Sequence, residues 1–210
     1  MKLAIIGSGN IGRSIGAWAA KVGYDVIFSA KNEQHAQEVA KAVGYNAKSA
    51  KVHEAVSSGD LVLLAVPYSS VHEILADVRA LLKDKILIDV TNPLNADFSG
   101  LSIGFTTSAA EEIAKHVPEA KVVKAFNTVF ANIYDSQNPK IKDNKISIFY
   151  AGDDKEAKIK VAELITKMGF DAVDAGALKS ARNIEPLALL NVNLGYNMGY
   201  GKTIGFSLIR

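Results

Sequence analysis

The chain contains no cysteine, which excludes disulfides, thiol nucleophiles and iron–sulfur ligation together. It lacks any apolar run near the roughly 18 residues of a membrane span. Its longest motif-like apolar run, LVLLAV at 61–66, is strand-sized. MKLAII reaches Gly7 after four apolar residues, too few for the core of a signal peptide, so a cytoplasmic location is expected. Neither sign of charge dominates. The 24 Lys and Arg against 22 Asp and Glu leave a net +2, dispersed along the chain, which argues against a nucleic-acid partner. His35, His53, His72 and His116 stand apart without metal-ligand spacing, and no metal site is expected. No tyrosine precedes a lysine by four positions, and no G-x-S-x-G elbow occurs. Glu111 and Glu112 are adjacent on a helical pattern and diverge, a poor arrangement for an acid–base dyad.

What is present is an alternation. Short β-branched runs at 2–6, 25–29, 61–66, 85–90, 121–126, 146–151 and 170–175 are separated by helical patterns at 12–22, 32–43, 70–82, 108–116 and 154–168. This predicts an α/β fold: a Rossmann-type doubly wound, mostly parallel sheet covered on both faces. The polar stretch 134–144 reads as a surface loop. The last 35 residues have helical character without a strand pattern, with Pro186 expected in a helix's first turn and an apolar tail at 206–209. The expected division is a dinucleotide-binding domain over 1–175 and a small C-terminal helical cap over 176–210.

Gly7-Ser8-Gly9-Asn10-Ile11-Gly12 fits G-x-G-x-x-G between a strand and an amphipathic helix, the context a dinucleotide fingerprint requires. Gly7 serves the tight turn, Gly9 the approach of a pyrophosphate and Gly12 close helix packing. Backbone N–H groups at the helix start hold the phosphates. In NAD-binding units an acid about 20 residues further on binds the ribose 2′-hydroxyl. Here Asp25 starts the second strand, at its wrong end, and the strand finishes in Ser29-Ala30-Lys31-Asn32. A cation without a nearby acid suits a 2′-phosphate, so NADP(H) is the expected dinucleotide, with Ser29 and Asn32 as candidate donors. The bland alternative is a solvated Lys31.

Ligands of such sheets sit beyond the carboxyl ends of the strands. Four strand ends stand out: Ala65-Val66-Pro67, an apolar ledge; Asp89–Pro93, with Asn92; Ala125–Ala131, with Asn127 and Thr128; and Asp174–Leu178. Each alone could be a capped turn; together they favour a nicotinamide site. Acid–base groups are scarce among them. Ketone reduction needs a proton donor beside the hydride acceptor, whereas a flavin-like ring takes up the charge itself. That tilts the expectation toward transfer between two cofactors.

With these segments assembled, the chain resembles the deazaflavin-dependent NADP oxidoreductases and, sharing that fold, the cytosolic reductase domains of the six-transmembrane metalloreductases. The resemblance rests on GSGNIGRS, FSAKN, LLAVP, ILIDVTNPLN, AKVVKAFNTV, YAGDD, MGFDAVDAGALKSARNIEPL and YNMGYGKTIGF, and covers nearly the whole chain. It implies pyrophosphate contacts from Ser8, Gly9, Asn10 and Ile11. Ala30 and Lys31 stand where relatives carry Ser-Arg for the 2′-phosphate, which keeps the charge and loses the guanidinium fork. His35 lies where archaeal relatives can place another cation. Ala65, Val66, Asn92, Pro93 and Ala131 match the nicotinamide side. Asn127 replaces the archaeal histidine near the second coenzyme, as in the metalloreductase branch, and is the candidate for positioning the acceptor. The implied activity is hydride transfer between NADP(H) and a deazaflavin or flavin, with the cap completing the acceptor site and a homodimer interface around Gly195, Gly199 and the tail. The alternatives are an NADP(H)-binding sensor without turnover and a flavin-linked ferric or cupric reductase.

Overall fold

The computed structural model describes residues 1–210. It opens with β1 (Lys2–Ile6), α1 (Asn10–Lys21), β2 (Asp25–Ser29) and α2 (Glu33–Val43). Then come β3 (Lys48–Ser49), α3 (Val52–Ser58), β4 (Leu61–Leu64), α4 (Val71–Val78), β5 (Ile86–Asp89), α5 (Ala109–His116), β6 (Lys121–Lys124) and α6 (Ala131–Ser136). A small hairpin, β7 (Lys140–Ile141) with β8 (Asn144–Lys145), leads to β9 (Ser147–Gly152), α7 (Lys155–Lys167), β10 (Asp171–Asp174) and α8 (Ala181–Val192). Eight strands form one sheet in the order β10-β9-β6-β5-β4-β1-β2-β3. The order reverses between β1 and β4, the crevice where open α/β sheets bind ligands.

Both faces are covered, which is why the strands read as continuous apolar runs. Leu3, Ile5, Leu61, Leu63 and Ile88 point to one face with Ile15, Trp18, Val161 and Leu164. Ala4, Ile6, Val62, Leu64 and Leu87 point to the other with Val56, Leu75, Val78 and Ile113. Alternate residues of each strand therefore serve opposite layers, as a doubly wound sheet demands.

The expected parallel sheet holds from β3 through β6. There it turns over: β9 pairs with β6 antiparallel, and β10 runs parallel to β9. The expectation for Asp174–Leu178 is thereby corrected. Its strand ends at the opposite edge from Ala65 and Asn92, where Asp174 pairs with Lys158 at 3.0 Å. The reversal has a use, because α8 then runs back toward the ligand edge. Leu178 N–H donates to Asp153 near its start, and Asn191 reaches the Thr128 carbonyl near its end, at 2.9 and 3.0 Å.

Other boundaries shift for local reasons. Helix α1 begins at Asn10 rather than at 12, because Gly9 in extended conformation is its N-cap. Pro186 lies inside α8, beyond the first turn expected for it. The stretch 134–144 holds the end of α6 and strand β7 rather than loop alone. The helices α3 and α6 are too short for a periodic signal.

Candidate active site

The glycine loop leaves β1 and turns into α1. Gly7 has φ +101, and a Cβ there would lie 2.3 Å from the Ala65 carbonyl oxygen. At Gly12 a Cβ would stand 1.9 Å from the Gly7 carbonyl oxygen, so this glycine sets how closely the helix approaches its own loop. A Cβ on Gly9 meets nothing within 4 Å. That space lies over the start of α1, whose cap carries no side chain and whose first bond runs from Arg13 N–H to the Gly9 carbonyl at 2.8 Å. The opening N–H groups of the helix and its positive end thus face open space at Gly9, where an anionic pyrophosphate can approach the backbone. The residues present fit a dinucleotide.

The adenosine end differs from the expectation in detail. Ser29 is fully buried, and its hydroxyl donates to the Ile5 carbonyl at 2.8 Å, so it is no phosphate donor. Ser8 is likewise buried, its hydroxyl donating to the Ser29 carbonyl at 3.2 Å. Asn32 caps α2 by accepting from His35 N–H at 3.2 Å. His35 Nε2 lies 3.1 Å from the Ser8 carbonyl oxygen, which makes it the donor and a brace for the glycine loop. Ala30 is half-buried and Lys31 is exposed, with no carboxylate paired to its ammonium.

Two cavities meet beyond the strand ends. The first, of about 830 Å³, has Gly9, Ala65, Val66, Pro67, Tyr68 and Thr91 in its wall. The second, of about 450 Å³, is walled by Asn127, Phe130, Ala131, Asn191, Val192 and Tyr196. Asn10, Ile11, Asn92 and Phe98 belong to both. Pro93 lines neither: it is buried, and its carbonyl accepts from Ser102 N–H at 2.7 Å.

The partition between the cavities is built from the ends of β5 and β6. Phe126, buried, takes φ +66, a left-handed conformation costing a bulky residue on the order of 1–3 kcal/mol. The kink swings Asn127 off the line of β6, and the buried Tyr134 hydroxyl secures it by donating to the Phe126 carbonyl at 2.9 Å. Burial holds that phenol well above its ordinary range, so it stays a donor. Asn127 then donates to Asn92 Oδ1 at 2.8 Å, and Asn92 returns a bond to the Asn127 carbonyl at 3.1 Å.

Beneath the partition lie three charged residues that no local motif marks as a unit. Lys124, ending β6, donates to Asp89 at 2.8 Å, to Glu185 of α8 at 2.9 Å and to the Thr91 carbonyl. Both Lys124 and Asp89 have no exposed surface. Burial pushes the ammonium's pKa down, and the two carboxylates outweigh it and hold it above its ordinary value. Glu185 also accepts from the N–H groups of Ala109 and Ala110 at the start of α5, at 2.9 and 3.1 Å. A charged residue inside an otherwise apolar strand, and another in an apolar helix, was the available signal.

Glu111 and Glu112 do diverge: Glu111 takes Arg182 as partner, and Glu112 takes Lys115. The histidines are less isolated than their spacing implies. His72 Nδ1 and His116 Nε2 lie 3.1 Å apart where α4 meets α5, without a third metal-ligating group to make a cluster. Gly195 is packed within the chain against the Phe130 ring and the Gly201 carbonyl.

A glycine cradle at a helix start, with two cavities over the switch in strand order, is the arrangement of a Rossmann-type dinucleotide-binding protein. Residues 2–93 match the family model described as NADP oxidoreductase, coenzyme F420-dependent. The F420-dependent NADP reductase of Methanothermobacter thermautotrophicus is 30% identical over 92% of this chain and 89% of its own. The crystal structure of an Arthrobacter sp. FB24 protein, assigned only provisionally as an F420-dependent NADP reductase, superposes over the whole of both chains with a TM-score of 0.89 and 27% identity. The rat metalloreductase STEAP3 is 33% identical over 90% of this chain, which spans 37% of that protein's length. The chain belongs to the family of F420-dependent NADP reductases, and is an NADP(H)-linked oxidoreductase. No helix is long and apolar enough to cross a membrane.

Proposed function

We propose that this chain moves hydride between NADP(H) and a deazaflavin or flavin ring, each held in one of the two abutting cavities. The observation that carries the reading is that Asn10, Ile11, Asn92 and Phe98 line both cavities, so that guests in the two are immediate neighbours. When bound, the dinucleotide supplies two electrons and one proton as hydride from its nicotinamide, and the acceptor ring takes a further proton from solvent.

The chain's own part is to hold and orient. The α1 N-terminus and Gly9 receive the pyrophosphate, and Lys31 meets the 2′-phosphate from solvent, with His35 bracing the loop between them. Ala65, Val66 and Pro67 give the nicotinamide an apolar ledge, and Asn127 fixes the edge of the acceptor cavity. The titratable wall residues are Asp97, Tyr196 and Lys202 on the acceptor side and Tyr68 on the nicotinamide side, and a flavin-like acceptor requires none of them as a dedicated proton donor. The segment 176–210 closes the acceptor side through Asn191, Val192 and Tyr196. Exposed Tyr196, Met198, Tyr200 and Ile209 support a homodimer through this region, which sedimentation at micromolar concentration tests.

Anaerobic mixing of NADPH with the deazaflavin, FMN and FAD separately tests the assignment. Loss of NADPH absorbance together with reduction of one ring supports it. Tight NADPH binding with no change in any mixture points instead to a dinucleotide sensor.

A further inference from the structure

The wall of the nicotinamide-side cavity contains no charged side chain. The charge lies one layer below, in the cluster of Asp89, Lys124 and Glu185. Two carboxylates there face one ammonium, an excess of one negative charge, and each of these side chains is at most 1% exposed. The start of α5 offsets part of that excess through the Ala109 and Ala110 N–H groups. Arg182 and Lys115 are matched by Glu111 and Glu112, and the adjoining cavity's wall adds one charge of each sign, Asp97 and Lys202.

The cluster reaches the cavity through Thr91, a wall residue. Thr91 N–H donates to Asp89 at 2.8 Å, while its carbonyl accepts from Lys124. The field is also felt at Tyr68, a second wall residue. Its phenol pKa is raised by burial first, then by Glu112, Glu185 and Asp89.

The oxidised nicotinamide carries a positive charge and the reduced ring is neutral. Otherwise the two dinucleotides are the same, including the 2′-phosphate. Departure of hydride, with its two electrons and one proton, therefore creates one positive charge above this cluster. A fixed negative charge in a poorly hydrated place stabilises that product without reorganisation. Resting on the reading of this cavity as the nicotinamide site, we infer that the Asp89–Lys124–Glu185 cluster makes the protein favour the oxidised over the reduced dinucleotide. It thereby tilts the bound pair toward giving up hydride. Glu185 and Asp89 act here as positioning residues of charge, since neither lines the cavity.

The test is calorimetric titration of NADP+ and NADPH, separately, into the wild-type chain, Glu185→Gln and Glu112→Gln. The ratio of the NADP+ to the NADPH dissociation constant cancels every contact the two share. It is expected to rise about three- to tenfold in Glu185→Gln, the effect of removing one charge from a partly hydrated pocket. The amide that replaces the Glu185 carboxylate would direct N–H groups at existing donors, so this variant's folding is checked by circular dichroism. Glu112→Gln, at a half-buried helix position, is expected to fold and to raise the ratio by about 1.5- to threefold. The wild-type ratio is expected to lie below one; a wild-type ratio above one overturns the inference, as does a ratio unchanged in folded Glu185→Gln or an equal weakening of both ligands. Failure of the wild type to bind either ligand overturns the nicotinamide reading itself, and the inference with it.

Discussion

Asn92 and Asn127, at the ends of neighbouring strands, exchange two hydrogen bonds, 2.8 Å from the Asn127 amide and 3.1 Å from the Asn92 amide. This exchange fixes both side chains where the two cavities join. Asn127→Ala should lower the single-turnover rate of hydride transfer by about 10- to 100-fold through lost alignment. NADPH affinity should stay within about threefold of wild type, because the phosphate contacts are remote from this position. Stopped-flow absorbance beside an NADPH titration separates the two effects.

Gly9 and Gly12 make a contrasting pair. A side chain at Gly9 enters open space, so Gly9→Val should abolish binding of NADPH and NADH while leaving the melting temperature within about 3 °C. Gly12→Ala drives a methyl into the Gly7 carbonyl and should lower the melting temperature by about 4–10 °C, as overpacking does in a chain of this size. Unaltered titration curves for Gly9→Val would remove the pyrophosphate from that place.

Lys31→Ala should raise the NADPH dissociation constant by about 5- to 20-fold and leave that of NADH nearly unchanged, the mark of a lost charge-assisted phosphate contact. Equal effects on both would show that Lys31 is only solvated.

Much of this site was legible because its signals are local. The glycine loop, the strand runs and the polar strand ends each lie within a few consecutive residues. The missing parts depend on contacts across long separations. Lys124 and Glu185 lie 61 positions apart and meet only through the sheet and the returning α8. The same holds for His72 and His116, 44 positions apart. The inversion of β9 and β10 is equally invisible in sequence, since an apolar run carries no mark of direction, and it alone moves the strand end at Asp174 to the far edge of the sheet. A hydroxyl at a strand end suggests a ligand contact for Ser29, whereas the Ile5 carbonyl claims it.

Arg182 grips Glu111 with two bonds of 2.8 and 2.7 Å, joining α8 to α5. The Arg182 hydrogen bonds, with Ser108 helping, hold the Glu111 carboxyl below its usual 4.5. A depressed carboxyl contributes stability above its unfolded value and loses it as the pH falls through the folded one. The wild type should therefore melt above Arg182→Met at pH 7, and the gap should close between about pH 5 and pH 3. Melting curves across that range test it; a constant gap would assign the effect to packing alone.

Tyr134→Phe removes the donor that secures the Phe126 carbonyl in a fully buried place. The expected loss of stability is about 1–3 kcal/mol, the cost of an unpaired buried acceptor. Acceptor affinity should fall as well, since Asn127 depends on that kink. Urea unfolding and acceptor titration measure the two.

The acceptor-side cavity takes one wall from Asn10 and Ile11 and another from Asn191, Val192 and Tyr196, nearly opposite ends of the chain. A guest lodged there bridges parts that come together only when the entire sheet has assembled, contacts of the long-range kind that form late and slowly. Its binding energy should consequently reinforce the fold as a unit, delaying global rather than local melting in proportion to its occupancy.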